Sequence, residues 1–222
     1  MQNVLREFQN RVIEIEAYLE FIRQVDANEM LLVRAQTSEP AYLPHQQQDL
    51  LRTFKASALL MLYNLMESSV TNAVEAIFDE LEQRAIPFDQ CRDEIRLVIL
   101  KNAKGHDPQK LLPEIRALAT DIVTKTFRPD TVVSGNVDAR EIREVAKRYG
   151  FTKPQSRGDR LLTVKTNRND LAHGSKSFAE VGRSFSVNDI FEIKNDVVAY
   201  LAETLGHVAS YLNAREYSQT PI

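Results

Sequence analysis

Apolar residues recur along this chain at spacings of three and four, the period of helices with one buried face. From residue 2 to about residue 35, Val4, Phe8, Val12, Ile15, Leu19, Ile22 and Val25 form one stripe and predict a long first helix. The polar, proline-containing stretch TSEPAYLPHQQQ interrupts it. A second long helix is predicted from about Gln47 to Arg84, with Leu51, Phe54, Ala58, Leu62 and Leu65 on its apolar face and Pro87 beyond its end.

The middle of the chain is more broken. Asp89 to about Lys101 and Leu111 to Phe127 read as helices, with AKGHDPQ as the loop between them and RPDTVVSGN as the loop after them. At Asp138 the pattern DARE is a capping box, and the helix it opens runs through Tyr149 to a stop at Gly150. Another helix is predicted from about Gly158 to Gly174, and SVND at Ser186 caps a last helix to about Arg215. No internal repeat, low-complexity run or clear linker appears. The expected architecture is all-α, a bundle of two long antiparallel helices with shorter helices packed on them. Residues 1–222 are expected to form a single domain, with the middle helices at about 89–150 as an insertion or subdomain.

Composition supports one sizeable core, with 43% hydrophobic residues in 222. A single cysteine, Cys91, excludes an internal disulfide and a thiolate cluster, which fits a reducing cytosol. The N-terminal stretch alternates charged and apolar residues, unlike a signal peptide. Nothing approaches the roughly 20 apolar residues of a spanning helix. A cytoplasmic protein with no membrane partner is expected.

Charge is unevenly spread. Between Asp138 and Lys176 ten Lys/Arg face five Asp/Glu, so that segment carries +5 and the rest of this −3 chain carries −8. A basic region in an acidic protein attracts polyanions locally, although a solvated helix pair accounts for it equally well.

Few motifs carry chemistry. His45 and His106 fall in predicted loops and His207 in the last helix, with no metal-ligand spacing between any two histidines. HExxH, GxxxxGK[ST], GxGxxG and GxSxG are all missing, so neither a metal nor another cofactor is expected. On the second helix Asn64, Glu67, Ser68, Thr71 and Glu75 share a polar face. That face is either solvated or turned toward a site, where Glu67 would hold an arginine or a histidine.

What remains is KTNRNDLAHGSKS, residues Lys165 to Ser177. Arg168 follows Leu161 by seven residues and Val164 by four, so it projects near the apolar face and needs a partner, an anion or a route to solvent. His173 lies five residues on, about 140° around a regular helix. The two side chains converge only if the helix loosens at Gly174, or if a second copy of the chain brings its own pair alongside. Alternatively, the histidine is simply a residue comfortable at a helix C-terminus.

The stretch RNDLAHG resembles the signature of the HEPN superfamily, here Arg168, Asn169 and His173 flanked by Leu171, Ala172 and Gly174. Two long leading helices with LLMLYNLMES, the segment GNVDAREIREVAKRYGF and a closing helix look like its MAE_28990/MAE_18760-like branch. The resemblance covers most of the chain and implies an HEPN-like helical bundle. It further implies a metal-independent endoribonuclease acting as a homodimer with a composite site, in toxin–antitoxin or anti-phage defence. Its partners would be RNA and an antitoxin or defence-system protein. Arg168 and His173 would be catalytic, with Asn169, Asp170 and Glu67 in support, and Lys165, Arg160 and Arg157 would contact RNA. Related toxins paired with nucleotidyltransferase antitoxins often carry a tyrosine two residues after the histidine, where this chain has Ser175. Two other readings compete. One is a non-catalytic module binding RNA, a nucleotide or a protein; the other is a structural oligomerisation domain.

Overall fold

A computed structural model describes residues 1–30, 33, 41, 43–103, 129–133 and 135–219. Seven α-helices form among them: α1 (Gln2–Asp26), α2 (Pro44–Gln83), α3 (Asp93–Ala103), α4 (Ala139–Tyr149), α5 (Asp159–Ala172), α6 (Phe178–Arg183) and α7 (Val187–Asn213). No β-strand forms among the described residues. The architecture is the all-α one expected. The expected helix over 111–127, and His106 with its loop, lie outside the described residues.

The chain divides into two compact units. One comprises Glu7–Met66 and Gly158–Ala199. Within it α1 and α2 run antiparallel: Tyr18 and Phe21 pack edge-on against Phe54, while Val25 and Asp26 share a cleft with Pro44, His45 and Leu51. The stripe from the sequence is the buried face, with Phe8, Ile15, Leu19, Ile22 and Val25 all inside. Leu59, Leu62 and Tyr63 from α2, Leu161 and Val164 from α5, and Ile190, Ile193 and Val197 from α7 complete this core. Tyr18 donates to the Phe54 carbonyl, and Lys194, almost wholly buried, reaches Glu16 at 3.0 Å.

The other unit comprises Met1–Arg6, Glu67–Arg157 and Tyr200–Ile222. Here α3 packs on α4. Three tyrosines satisfy or fill its core: Tyr200 donates to the Ala139 carbonyl, Tyr211 donates to the Tyr149 carbonyl, and Tyr149 meets Phe78 edge-on. The chain beyond α7 returns to the residues ahead of α3. The Arg92 N–H donates to the Tyr217 carbonyl, the Gln219 N–H donates to the Gln90 carbonyl, and Cys91 and Ser218 form an isolated antiparallel bridge.

Several boundaries differ from expectation. α1 stops at Asp26 instead of near residue 35, because Asn28 takes a left-handed φ of 56°. The Asn28 and Glu29 N–H groups then donate back to the Val25 and Gln24 carbonyls, the double bond of a Schellman closure. α2 begins at Pro44, so His45 belongs to its first turn and not to a loop. The residues before α3 form a 3₁₀ turn at Phe88–Gln90, and a second 3₁₀ turn, Pro129–Thr131, occupies the loop before α4. At the start of α4, Asp138 accepts from the Glu141 N–H as its capping role requires, while the Glu141 carboxylate stands 3.6 Å from Arg148. Finally, α6 was not anticipated, although Ser177 and Glu180 form a complete capping box at its start.

Candidate active site

The site residues on α5 owe their positions to a helix whose early face is purely apolar. Leu161 and Val164 are fully buried, and Asp159 in the first turn suits the positive end of the helix dipole. Two turns after Leu161, where another apolar residue would continue the stripe, stands Arg168. Its guanidinium carbon lies 4.4 Å from the centroid of the Tyr63 ring on α2, and Tyr63 is fully buried. A cation over an aromatic face is worth about 0.5–2 kcal/mol depending on desolvation. Arg168 is half-buried, and its Nη1 donates to Asn169 Oδ1 at 3.0 Å. The expectation that Arg168 points near the apolar face therefore holds, and the partner is an aromatic ring.

The helix ends in a closed and regular way. His173 is the C-cap, still right-handed at φ −90° and ψ −2°, and its N–H donates to the Asn169 carbonyl at 2.9 Å. Gly174 follows at φ +69°, a conformation that glycine adopts without penalty. Its N–H donates to the Leu171 carbonyl and the Ser175 N–H to the Asp170 carbonyl, a full Schellman motif. The Asp170 carboxylate pairs with Lys176 at 2.7 Å. Of the two ways for Arg168 and His173 to meet, loosening of the helix end is thus removed. Within one chain Arg168 faces α2, while His173 is exposed and about 140° away around the helix.

The remaining residues are dispersed. Lys165 is half-buried on α5 and Arg157 is exposed. Arg160 stands 3.4 Å from Glu192 and 3.8 Å from Asp196 of α7. Glu67 is half-buried on α2, in the unit that does not contain α5. Part of the basic segment has internal duties: Arg143 covers the Tyr200 ring and donates to the Ser156 carbonyl, and Arg148 donates to the Val132 carbonyl. Among the described residues no group of three His, Cys, Asp or Glu side chains gathers as a metal site would need.

Tyr63 is the residue that sequence reasoning missed. It sits among Leu62, Leu65 and Met66 and reads as ordinary core. Only the fold shows that its ring face meets an arginine from a helix about a hundred residues later.

An all-α chain with long leading helices and an Arg-x₄-His helix end has the HEPN helical fold. The chain belongs to the MAE_28990-like HEPN family, whose model matches residues 1–217. Membership points to a nuclease or another RNA-related domain, of a kind that often works as a dimer. No curated protein and no solved structure matches the chain. No described helix is long and apolar enough to cross a membrane.

Proposed function

We propose that this protein is a metal-independent endoribonuclease acting as a homodimer, a toxin or anti-phage effector whose site is assembled from two copies of the α5 end. The observation that carries the reading is the disposition of Arg168 and His173. One is a cation held against a buried ring, the other an exposed imidazole on a rigid helix end of the same α5.

RNA supplies its own nucleophile. The 2′-hydroxyl attacks the adjacent phosphorus and loses its proton, the bond to the 5′-oxygen breaks, and that oxygen takes up a proton. The products are a 2′,3′-cyclic phosphate and a 5′-hydroxyl. Imidazole is suited to both proton transfers near neutral pH, so His173 is the acid–base group. The Arg168 guanidinium, with its fork of donors, binds the non-bridging phosphate oxygens and offsets charge developing there. Asn169, already bonded to Arg168, keeps that fork oriented. Asp170 holds Lys176 close to the same helix end. Lys165, Arg160 and Arg157 contribute to RNA contact. Because Arg168 and His173 diverge on one helix, the second copy supplies the missing partner for each. The whole of 1–222 acts as one domain in this reading.

The test is cleavage of RNA in EDTA by the wild type, His173→Ala and Arg168→Ala. Cleavage that leaves cyclic phosphate ends and disappears in both variants is the expected result. Equal cleavage by all three overturns the proposal, and salt-sensitive RNA binding without cleavage would point instead to a non-catalytic binding module.

A further inference from the structure

We infer that Tyr63 is a positioning residue, whose ring fixes the guanidinium of Arg168 for anion binding. This rests on the reading of Arg168 as the phosphate-binding group. Three observations combine. The Arg168 guanidinium carbon is 4.4 Å from the ring centroid, well inside the roughly 6 Å range of such contacts. Tyr63 is fully buried, so its ring has little room to leave the arginine. Leu161 and Val164, both fully buried on the same face of α5, fix the helix that carries Arg168.

The chemical advantage lies in what the ring does not use. A carboxylate placed there would accept two of the five guanidinium N–H donors. The face of an aromatic ring attracts the charge through its quadrupole and itself takes up none of those donors. An arginine otherwise has high rotamer freedom, and ordering it on phosphate binding costs entropy. Contact with a locked ring meets part of that cost before RNA arrives.

Two substitutions separate the ring from the hydroxyl. Tyr63→Phe keeps the face and Tyr63→Leu removes it. Both are first checked by circular dichroism and thermal melting. The side-chain Nε–H signal of Arg168 is then followed by NMR, assigned by its disappearance in Arg168→Lys. The expected result is a ring-shifted signal in wild type and Tyr63→Phe that moves toward ordinary arginine positions in folded Tyr63→Leu. Affinity for an uncleavable 2′-O-methyl RNA oligomer is expected to fall about two- to thirty-fold in Tyr63→Leu, the range of one such contact, and to stay within about two-fold of wild type in Tyr63→Phe. An unchanged Arg168 signal in folded Tyr63→Leu overturns the inference. So does equal loss of affinity in both variants, which would assign the effect to the hydroxyl. The NMR result stands whether or not the wild type cleaves RNA, so a failure of the nuclease reading is told apart from a failure of this one.

Discussion

Gly182 of α6 lies directly on the backbone of Arg52 in α2. A Cβ placed at residue 182 would come within 1.9 Å of the Arg52 carbonyl oxygen and 2.8 Å of its Cα. The obstacle is main chain of a long helix, which cannot yield as the end of a side chain does. Gly182→Ala is therefore expected to destabilise the unit that contains both residues, by about 1–3 kcal/mol as overpacking usually does. Urea unfolding checks it, and an unchanged midpoint would show that α6 does not sit this close.

At the end of α2 the opposite change is favourable. Ala85 has φ +50° and is exposed, with its N–H donating to the Glu82 carbonyl and the Ile86 N–H donating to the Leu81 carbonyl. A left-handed conformation costs an L-residue roughly 1–2 kcal/mol, part of which glycine returns as extra freedom in the unfolded chain. Ala85→Gly is expected to stabilise by about 0.5–1 kcal/mol net, read as a higher Tm.

Burial pushes the Cys91 thiol up from 9.0 to about 11 and the Tyr149 phenol up from 10.0 to about 12. Both groups are held neutral by the fold and ionise more easily once unfolded. Their contribution is fully present below the unfolded values and is lost as pH rises through the folded ones. Stability should thus decline between about pH 9 and 12. At pH 8 the native thiol should react slowly with iodoacetamide, while denaturant should expose it at once.

Ser177 offers a control for the activity measurements. It accepts from the Glu180 N–H at 3.2 Å, and the Glu180 carboxylate accepts from the Ser177 N–H at 2.8 Å. Ser177→Ala is expected to cost about 1 kcal/mol in chemical denaturation. Because His173 is positioned by the closure before Ser177, RNA cleavage at 25 °C should stay close to wild type. His173→Ala should show the converse, with near-normal stability and a loss of about 10²–10⁴ in rate.

How far the sequence could be read shows best at the helix ends. Gly150 and Gly174 mark stops that the structure confirms, since a residue without Cβ advertises a left-handed position. The same closure ends α1 at Asn28, α2 at Ala85 and α7 at Arg215, and none of these stands out in the sequence. Tertiary packing imposes the turn there and overrides the local preference. The site divides the same way. Arg168, Asn169 and His173 are contiguous enough to be noticed, and their separation around the helix follows from its pitch. Tyr63 was illegible because a core aromatic and an arginine platform share one hydropathy signature. Within the basic segment Arg143, Arg148, Arg160 and Lys176 each have a ring, carbonyl or carboxylate partner inside the chain that no count of charges reveals.

The strap formed by residues 217–219 across Gln90–Arg92 joins segments up to 129 positions apart, and beneath it Cys91 is wholly covered. Contacts between such distant segments are slow to form, because loop closure must precede any gain from them. The single thiol thereby becomes a clock for chain closure. Pulsed alkylation during refolding would time the moment when the last segment of the chain seals the first half of its own unit.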